Sequence, residues 1–382
     1  MSKRLMVIAG EASGDLHAGK VVCAIKKNFP EVEIFGVGGE RMKKCGAEII
    51  YNISEISFIG FVDVVKNFKR VIDFENLCKH ELLSRKPDAV LLVDYPGFNL
   101  RFAKFAKEKG FKVFYYIAPQ VWAWGRRRIQ ILKSYVDELF VIFRFEEEFF
   151  RRYGVKAKFV GHPLLEDLRG VESVSEGDFF EKYGIAKNKI VSFFPGSRSH
   201  EVKMMLKTMI EAGEMIRKKF DVEVVFSRAR TISESEIKNL IGEDFRKFKF
   251  VENSHELLMV SYVSVVKSGT TSLEAGILGI PMVVCYKTSP INYLLGRLLV
   301  KTDVIESISL PNIVLCRKVV PELIQKDFTK DKIFDEVSRY LEDENLYNST
   351  KDELLKIRQI LTFESDGKST SEIVAEKIVL NL

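Results

Sequence analysis

Short apolar runs alternate with charged, helix-like segments along most of the chain. Runs at residues 5–9, 34–37, 89–93, 112–117 and 139–142 read as strands, and 89–93, AVLLV, is continuous in the way of a parallel strand covered on both faces. The first run ends in the small-residue turn Gly10-Glu11-Ala12-Ser13-Gly14-Asp15, before a helix predicted from about 16 to 28. A second series begins with 190–194 and the turn Pro195-Gly196-Ser197-Arg198, then a helix to about 220 and strands at 222–226 and 248–251. It continues through 265–284, VVKSGTTSLEAGILGIPMVV, which reads as strand, loop, helix and strand. Strands alternating with helices predict α/β folding: two Rossmann-like, doubly wound domains whose strand ends face a central cleft. The pattern pauses after Gly161-His162-Pro163, so the domains are expected at 1–168 and 169–354. Amphipathic helices follow Asp327, with Ile333, Val337, Leu341, Leu354, Ile357, Ile360 and Leu361 at helical spacing, and residues from about 355 to 382 are expected to cross back to the first domain.

Composition narrows the class without changing the fold. The 382 residues are 46% apolar and 29% charged, as in an ordinary globular protein rather than a disordered one. A net charge of +6 suits a phosphate-bearing substrate or an anionic membrane surface, whereas a dedicated nucleic-acid binder carries a denser basic face. The five cysteines, Cys23, Cys45, Cys78, Cys285 and Cys316, have no C-x-x-C spacing and read as buried thiols in a reducing compartment. No run reaches the roughly 18–20 apolar residues of a membrane span, and no signal-type segment precedes the first strand, so a cytoplasmic protein is expected.

The turns carry the candidate chemistry. Ser268, Gly269 and Thr270 leave backbone N–H groups bare where a helix begins, a setting for a phosphate, with Glu274 one turn in; an ordinary capped helix has the same residues. Gly196, Ser197 and Arg198 end a strand at the same edge, and two such turns side by side suit a diphosphate. Asp94 follows the 89–93 strand, where a partly apolar setting would raise its pKa toward that of a general base; the alternative is a loop Asp bonded to its own turn before Pro96. His17 reads as structural. No D-x-D occurs, so neither metal nor cofactor is expected. The stretch 58–72, FIGFVDVVKNFKRVI, is either a core-facing helix or an interfacial one with Lys66, Lys69 and Arg70 toward headgroups. Trp122 and Trp124 beside Arg126, Arg127 and Arg128 fit a loop entering a helix better than a single-stranded nucleic-acid site.

Taken in order, GEASGD at 10–15, VDYPGFN at 93–99, APQVWAWGRRR at 118–128, FVGHPL at 159–164, PGSR at 195–198, SGTTSLEA at 268–275 and SLPNIV at 309–314, with Gln325 beyond, resemble the lipid-A-disaccharide synthases, bacterial GT-B glycosyltransferases. The resemblance implies transfer from UDP-2,3-diacylglucosamine to 2,3-diacylglucosamine 1-phosphate with inversion, giving a β-1,6-linked disaccharide phosphate and UDP. It implies Asp94 as base. Gly196, Ser197, Arg198, Ser268, Gly269, Thr270, Glu274, Asn312 and Gln325 would hold UDP, with Glu274 on the ribose and Ser13 and Gly14 lining the cleft opposite. Because both substrates are acylated, it also implies a peripheral protein at the inner-membrane surface, docking through Phe58, Phe61, Val62, Val65 and Phe68. Many members carry an acidic residue where this chain has Gly97, so the base cannot depend on it. A GT-B-fold UDP-sugar epimerase and a non-catalytic UDP-lipid carrier are the alternatives, and a homodimer stays open.

Overall fold

The computed structural model describes residues 3–55, 68–122, 127–169, 175–185, 189–289, 293, 307–364 and 367–382. The chain divides into two compact units, Met1–Pro163 with Phe363–Leu382, and Leu164–Thr362. The pause in the pattern near Pro163 is where it first leaves unit 1; the helix Leu164–Arg169 belongs to unit 2. So does the whole helix Glu344–Leu361, whereas the sequence pattern has the returning segment begin near 355.

Unit 1 holds a seven-stranded sheet: β1 (Arg4–Ala9), β2 (Glu33–Gly38), β3 (Glu48–Asn52), β4 (Ala89–Val93), β5 (Lys112–Tyr116), β6 (Glu138–Val141) and β7 (Ala157–Phe159). All pairs are parallel, in the order β3-β2-β1-β4-β5-β6-β7. Every residue of β4 is buried, as its unbroken apolar run requires when helices cover both faces. One face packs Met6, Ile8, Leu92 and Phe98; the other packs Leu5, Val7, Val21 and Phe114. The helix Thr370–Val379 closes that second face, laying Ile373, Val374 and Ile378 against the helix Ala12–Asn28. Lys112 Nζ donates to Asn381 O at 2.7 Å and Lys3 Nζ to Leu382 O, tying down the chain end.

Unit 2 holds a six-stranded parallel sheet: β8 (Ile190–Phe194), β9 (Glu223–Ser227), β10 (Lys249–Val251), β11 (Ser261–Lys267), β12 (Met282–Tyr286) and β13 (Glu322–Ile324), in the order β10-β9-β8-β11-β12-β13. Each sheet therefore reverses direction of growth once, between β1 and β4 and between β8 and β11. At such a reversal the loops leave the two strands on opposite sides and open a crevice at their carboxyl ends, where open α/β sheets bind ligands.

One cysteine expectation is corrected. Cys23 and Cys45 are joined in a disulfide across 22 residues, with Cα atoms 4.7 Å apart. The packing of the helix Ala12–Asn28 on the helix Glu40–Lys44 brings them together, a contact no local spacing announces. Cys78 and Cys285 are buried thiols, and Cys316 is exposed. Among the described residues no helix is long and apolar enough to cross a membrane.

Candidate active site

In unit 1 the reversal falls between the two turns that the sequence singles out. β1 and β4 pair up to Ala9 and Val93, so Gly10 and Asp94 leave the sheet side by side. Asp94 and Tyr95 both take φ of +47°, a left-handed conformation that costs a non-glycine residue about 1–2 kcal/mol. The surrounding hydrogen bonds hold it: Asp94 N donates to Tyr116 O at 2.9 Å, and Asp94 O accepts from Asn99 Nδ2 at 2.8 Å and Tyr115 OH at 2.7 Å. The backbone is fixed and the carboxylate is half-buried beside it. Burial raises the Asp94 carboxyl above its ordinary value and the Glu11 charge adds to the effect, against a backbone hydrogen bond from Tyr95.

A cavity of about 790 Å³ opens beside this turn, lined by Gly10, Glu11, Asp15, Arg41, Asn52 and Tyr95 among others, though not by Asp94 itself. Gly10 has no room for a side chain, because a Cβ there would stand 2.2 Å from the Tyr95 ring. Buried Asp15 accepts from Gly39 N at 2.7 Å, Arg41 N at 3.1 Å and Met42 N at 3.2 Å, so it fixes the opposite wall. Ser13 and Gly14, expected to line the cleft, do not line this cavity. Ser13 is exposed on its helix, and Gly14 is buried against the sheet, where an added Cβ would make an ordinary contact 3.5 Å from Ala9 Cβ.

Beyond β5 and β6 in the same unit, buried Glu146 accepts from Trp122 Nε1 at 3.0 Å and Phe143 N at 3.1 Å. Burial pushes its carboxyl up to about 7 against those hydrogen bonds. His162 is buried too, and burial with the nearby His17 holds it neutral, down to about 3. Residues 123–126, with Trp124 and Arg126, lie outside the described residues, as do Phe58, Phe61, Val62, Val65 and the side chain of Phe68.

In unit 2, β8 and β11 pair up to Phe194 and Val266, and the turns beyond them meet. Gly196, Ser197, Arg198, Lys267, Gly269 and Thr270 help line one pocket of about 260 Å³. Gly196 takes φ of +119°, and a Cβ there would stand 2.7 Å from Glu201 Oε2. Glu201 itself accepts from Ser197 N at 3.2 Å, Arg198 N at 3.4 Å and Lys267 Nζ at 2.9 Å. Burial works to raise this carboxyl, but Lys267 and the two N–H groups outweigh it and leave it below its ordinary value. Neither Glu201 nor Lys267 was singled out by sequence; both stand within four residues of a turn that was.

The remaining expected ligands are not gathered at that pocket. Ser268 Oγ donates to Ile308 O at 2.9 Å. Glu274 is buried one turn into the helix Thr270–Ile277, with His255 Nδ1 4.0 Å away; burial raises its carboxyl, the His255 charge opposes this and Asp167 adds to it. The Asn312 amide is fully used within the fold: Nδ2 donates to Val320 O and Glu322 Oε1, both at 2.9 Å, and Oδ1 accepts from Val319 N at 2.8 Å and Val320 N at 3.0 Å. Gln325 likewise exchanges both amide hydrogen bonds with the Thr288 backbone, at 3.3 and 3.2 Å. Glu322, which sequence did not flag, accepts from Ile308 N and Ser309 N at 3.0 Å and so orders the segment beside Ser268.

Two parallel doubly wound units, one with a carboxylate at its sheet reversal and the other with paired small-residue turns, make this a GT-B protein. Residues 5–378 match the family described as Lipid-A-disaccharide synthetase, and the chain belongs to that family, a family of glycosyltransferases. Lipid-A-disaccharide synthase from Geobacter sulfurreducens is 33% identical over 380 residues, covering 99% of this chain and 98% of the relative. The Myxococcus xanthus enzyme of the same name is 37% identical over 339 residues, 88% of this chain and 87% of its own. Among solved structures, a putative UDP-N-acetylglucosamine 2-epimerase from Listeria monocytogenes gives a TM-score of 0.65 at 14% identity, covering 99% of this chain and 95% of that one. CalG4, the calicheamicin glycosyltransferase, gives 0.60 at 13%, covering 100% and 98%; both likenesses are of fold.

Proposed function

We propose that the chain transfers the sugar of UDP-2,3-diacylglucosamine to the 6-hydroxyl of 2,3-diacylglucosamine 1-phosphate, inverting the anomeric centre and releasing UDP. Asp94 is the base. The observation that carries the reading is its placement: a half-buried carboxylate on a locked backbone at the sheet reversal, with its pKa raised toward the working range. Gly196, Gly269 and Thr270 offer the diphosphate backbone N–H groups, Ser197 its hydroxyl and Arg198 its guanidinium, Glu274 takes the ribose, and Ser268, Asn312 and Gln325 serve by ordering the segments around them. The acylated substrates stay in a bilayer, since each buried CH₂ is worth about 0.8 kcal/mol, and the enzyme works at the inner-membrane surface.

The test is UDP release from UDP-2,3-diacylglucosamine, with and without the acceptor phosphate and in the presence of EDTA. Acceptor-dependent release that survives EDTA is expected. Release without acceptor would instead support an epimerase or hydrolase, and tight UDP binding with no release a carrier.

A further inference from the structure

Lys267 and Glu201 lie outside the motifs that point to the donor site, yet they join its two turns. Lys267 ends β11 one residue beyond Val266, the partner of Phe194 at the end of β8, so it leaves the sheet between Pro195–Arg198 and Ser268–Thr270. Its Nζ donates to Glu201 Oε1 at 2.9 Å, while Oε2 of the same carboxylate accepts from Ser197 N and Arg198 N. An ammonium has three donors, and among the described residues Glu201 is its one hydrogen-bond partner. Lys267 lines the pocket, and a Cβ on Gly269 would stand 3.9 Å from its Nζ, so the cation lies against the bare second turn.

Burial decides which cation is the pre-positioned one. The Arg198 side chain is 73% exposed and its nearest nitrogen is 3.7 Å from Glu201, so solvent screens it and its rotamers stay open. Lys267 and Glu201 are 22% and 10% exposed. A partly desolvated ammonium held by a carboxylate stabilises developing negative charge without first having to reorganise.

We propose that Lys267, held by Glu201, donates hydrogen bonds to the diphosphate of the bound sugar nucleotide and stabilises it as the leaving group; Glu201 is a positioning residue. This rests on the donor-site reading above. In the transfer, the bond from the anomeric carbon to the phosphate oxygen breaks with its electron pair left on that oxygen. The acceptor oxygen bonds to the carbon and its proton passes to the base. Lys267 gives up no proton.

The experiment titrates UDP and uridine into the full-length wild type and into Lys267→Met, Lys267→Arg, Glu201→Gln and Ser197→Trp, and measures donor turnover in each. For Lys267→Met the expectation is UDP affinity weakened at least ~10-fold, uridine affinity unchanged, and kcat lowered about 10²-fold with acceptor KM unchanged. Lys267→Arg restores part of the loss, and Glu201→Gln lowers kcat about 10-fold with uridine binding intact. Wild-type UDP affinity and kcat in Lys267→Met would overturn the assignment, as would uridine binding lost in step with UDP. Ser197→Trp places an indole in the pocket from an exposed position. If it keeps wild-type UDP affinity, the donor-site reading fails; if it loses UDP and Lys267→Met does not, the lysine assignment alone fails.

Discussion

At the scale of single residues, the decisive feature is a carboxylate whose backbone is more constrained than its side chain. Three hydrogen bonds hold Asp94 in a left-handed turn, and buried Asn99 supplies one of them while also donating to Val93 O at 3.2 Å. Asp94→Asn keeps the shape and removes the base, so kcat is expected to fall by about 10²–10⁴ with UDP affinity retained, measured by turnover and calorimetry. A base works ionised. Since burial and Glu11 raise its pKa, the acidic limb of kcat/KM should lie above the pKa of an ordinary Asp, and Glu11→Gln should move it to lower pH. Glu146 makes the opposite point, a carboxyl that costs stability. Folded it titrates near 7 against 4.5 for an ordinary Glu, so the native state binds the extra proton and stability falls as pH rises from 4.5 to 7. Glu146→Gln should remove most of that slope, about 3 kcal/mol above pH 7, in melting curves taken across this window. An unchanged slope would mean the carboxyl titrates normally.

At the scale of elements, each functional turn depends on a close approach. Gly196 combines a φ of +119° with a contact to Glu201, so Gly196→Ala should cost about 1–3 kcal/mol and weaken UDP binding by displacing that carboxylate; equal stability and affinity in the alanine variant would count against it. The stretch 58–72 remains a docking proposal. Phe61→Glu with Phe68→Glu should release the protein from anionic liposomes, and unchanged co-sedimentation would return this stretch to the core. Most strands were legible because a parallel strand buried on both faces is an unbroken apolar run, as in AVLLV at β4 and IVSFF at β8. The strands that went unnoticed, β3 (EIIYN), β7 (AKF) and β13 (ELI), sit at sheet edges, where they are short or only half-buried and carry polar residues.

At the scale of the whole molecule, the chain leaves unit 1 at Pro163 and returns to it at Phe363. Unit 1 is therefore incomplete until the end of the chain is present, and Ile373, Val374, Ala375 and Ile378 complete one of its two apolar layers. Truncation before Phe363 should expose that layer and lower the stability of unit 1 selectively. Hydrogen exchange should show protection lost in β1–β7 and kept in β8–β13; uniform loss in both sheets would mean the units do not fold separately.

The sequence by itself determined the alternation of strand and helix, the two-unit α/β class and the turns that matter, since apolar periodicity and small residues at strand ends are local properties. Only the tertiary structure decided which turns become neighbours. Lateral strand order is not written in any periodicity, and it is the order β1-β4 and β8-β11 that sets Gly10 beside Asp94 and the 195–198 turn beside the 268–270 turn. The same long-range packing joins Lys267 to Glu201 across 66 residues and Cys23 to Cys45 across 22. It also commits the amides of Asn312 and Gln325 to partners within the fold, because a polar group taken out of water must find its hydrogen bonds wherever folding brings an acceptor or donor within reach.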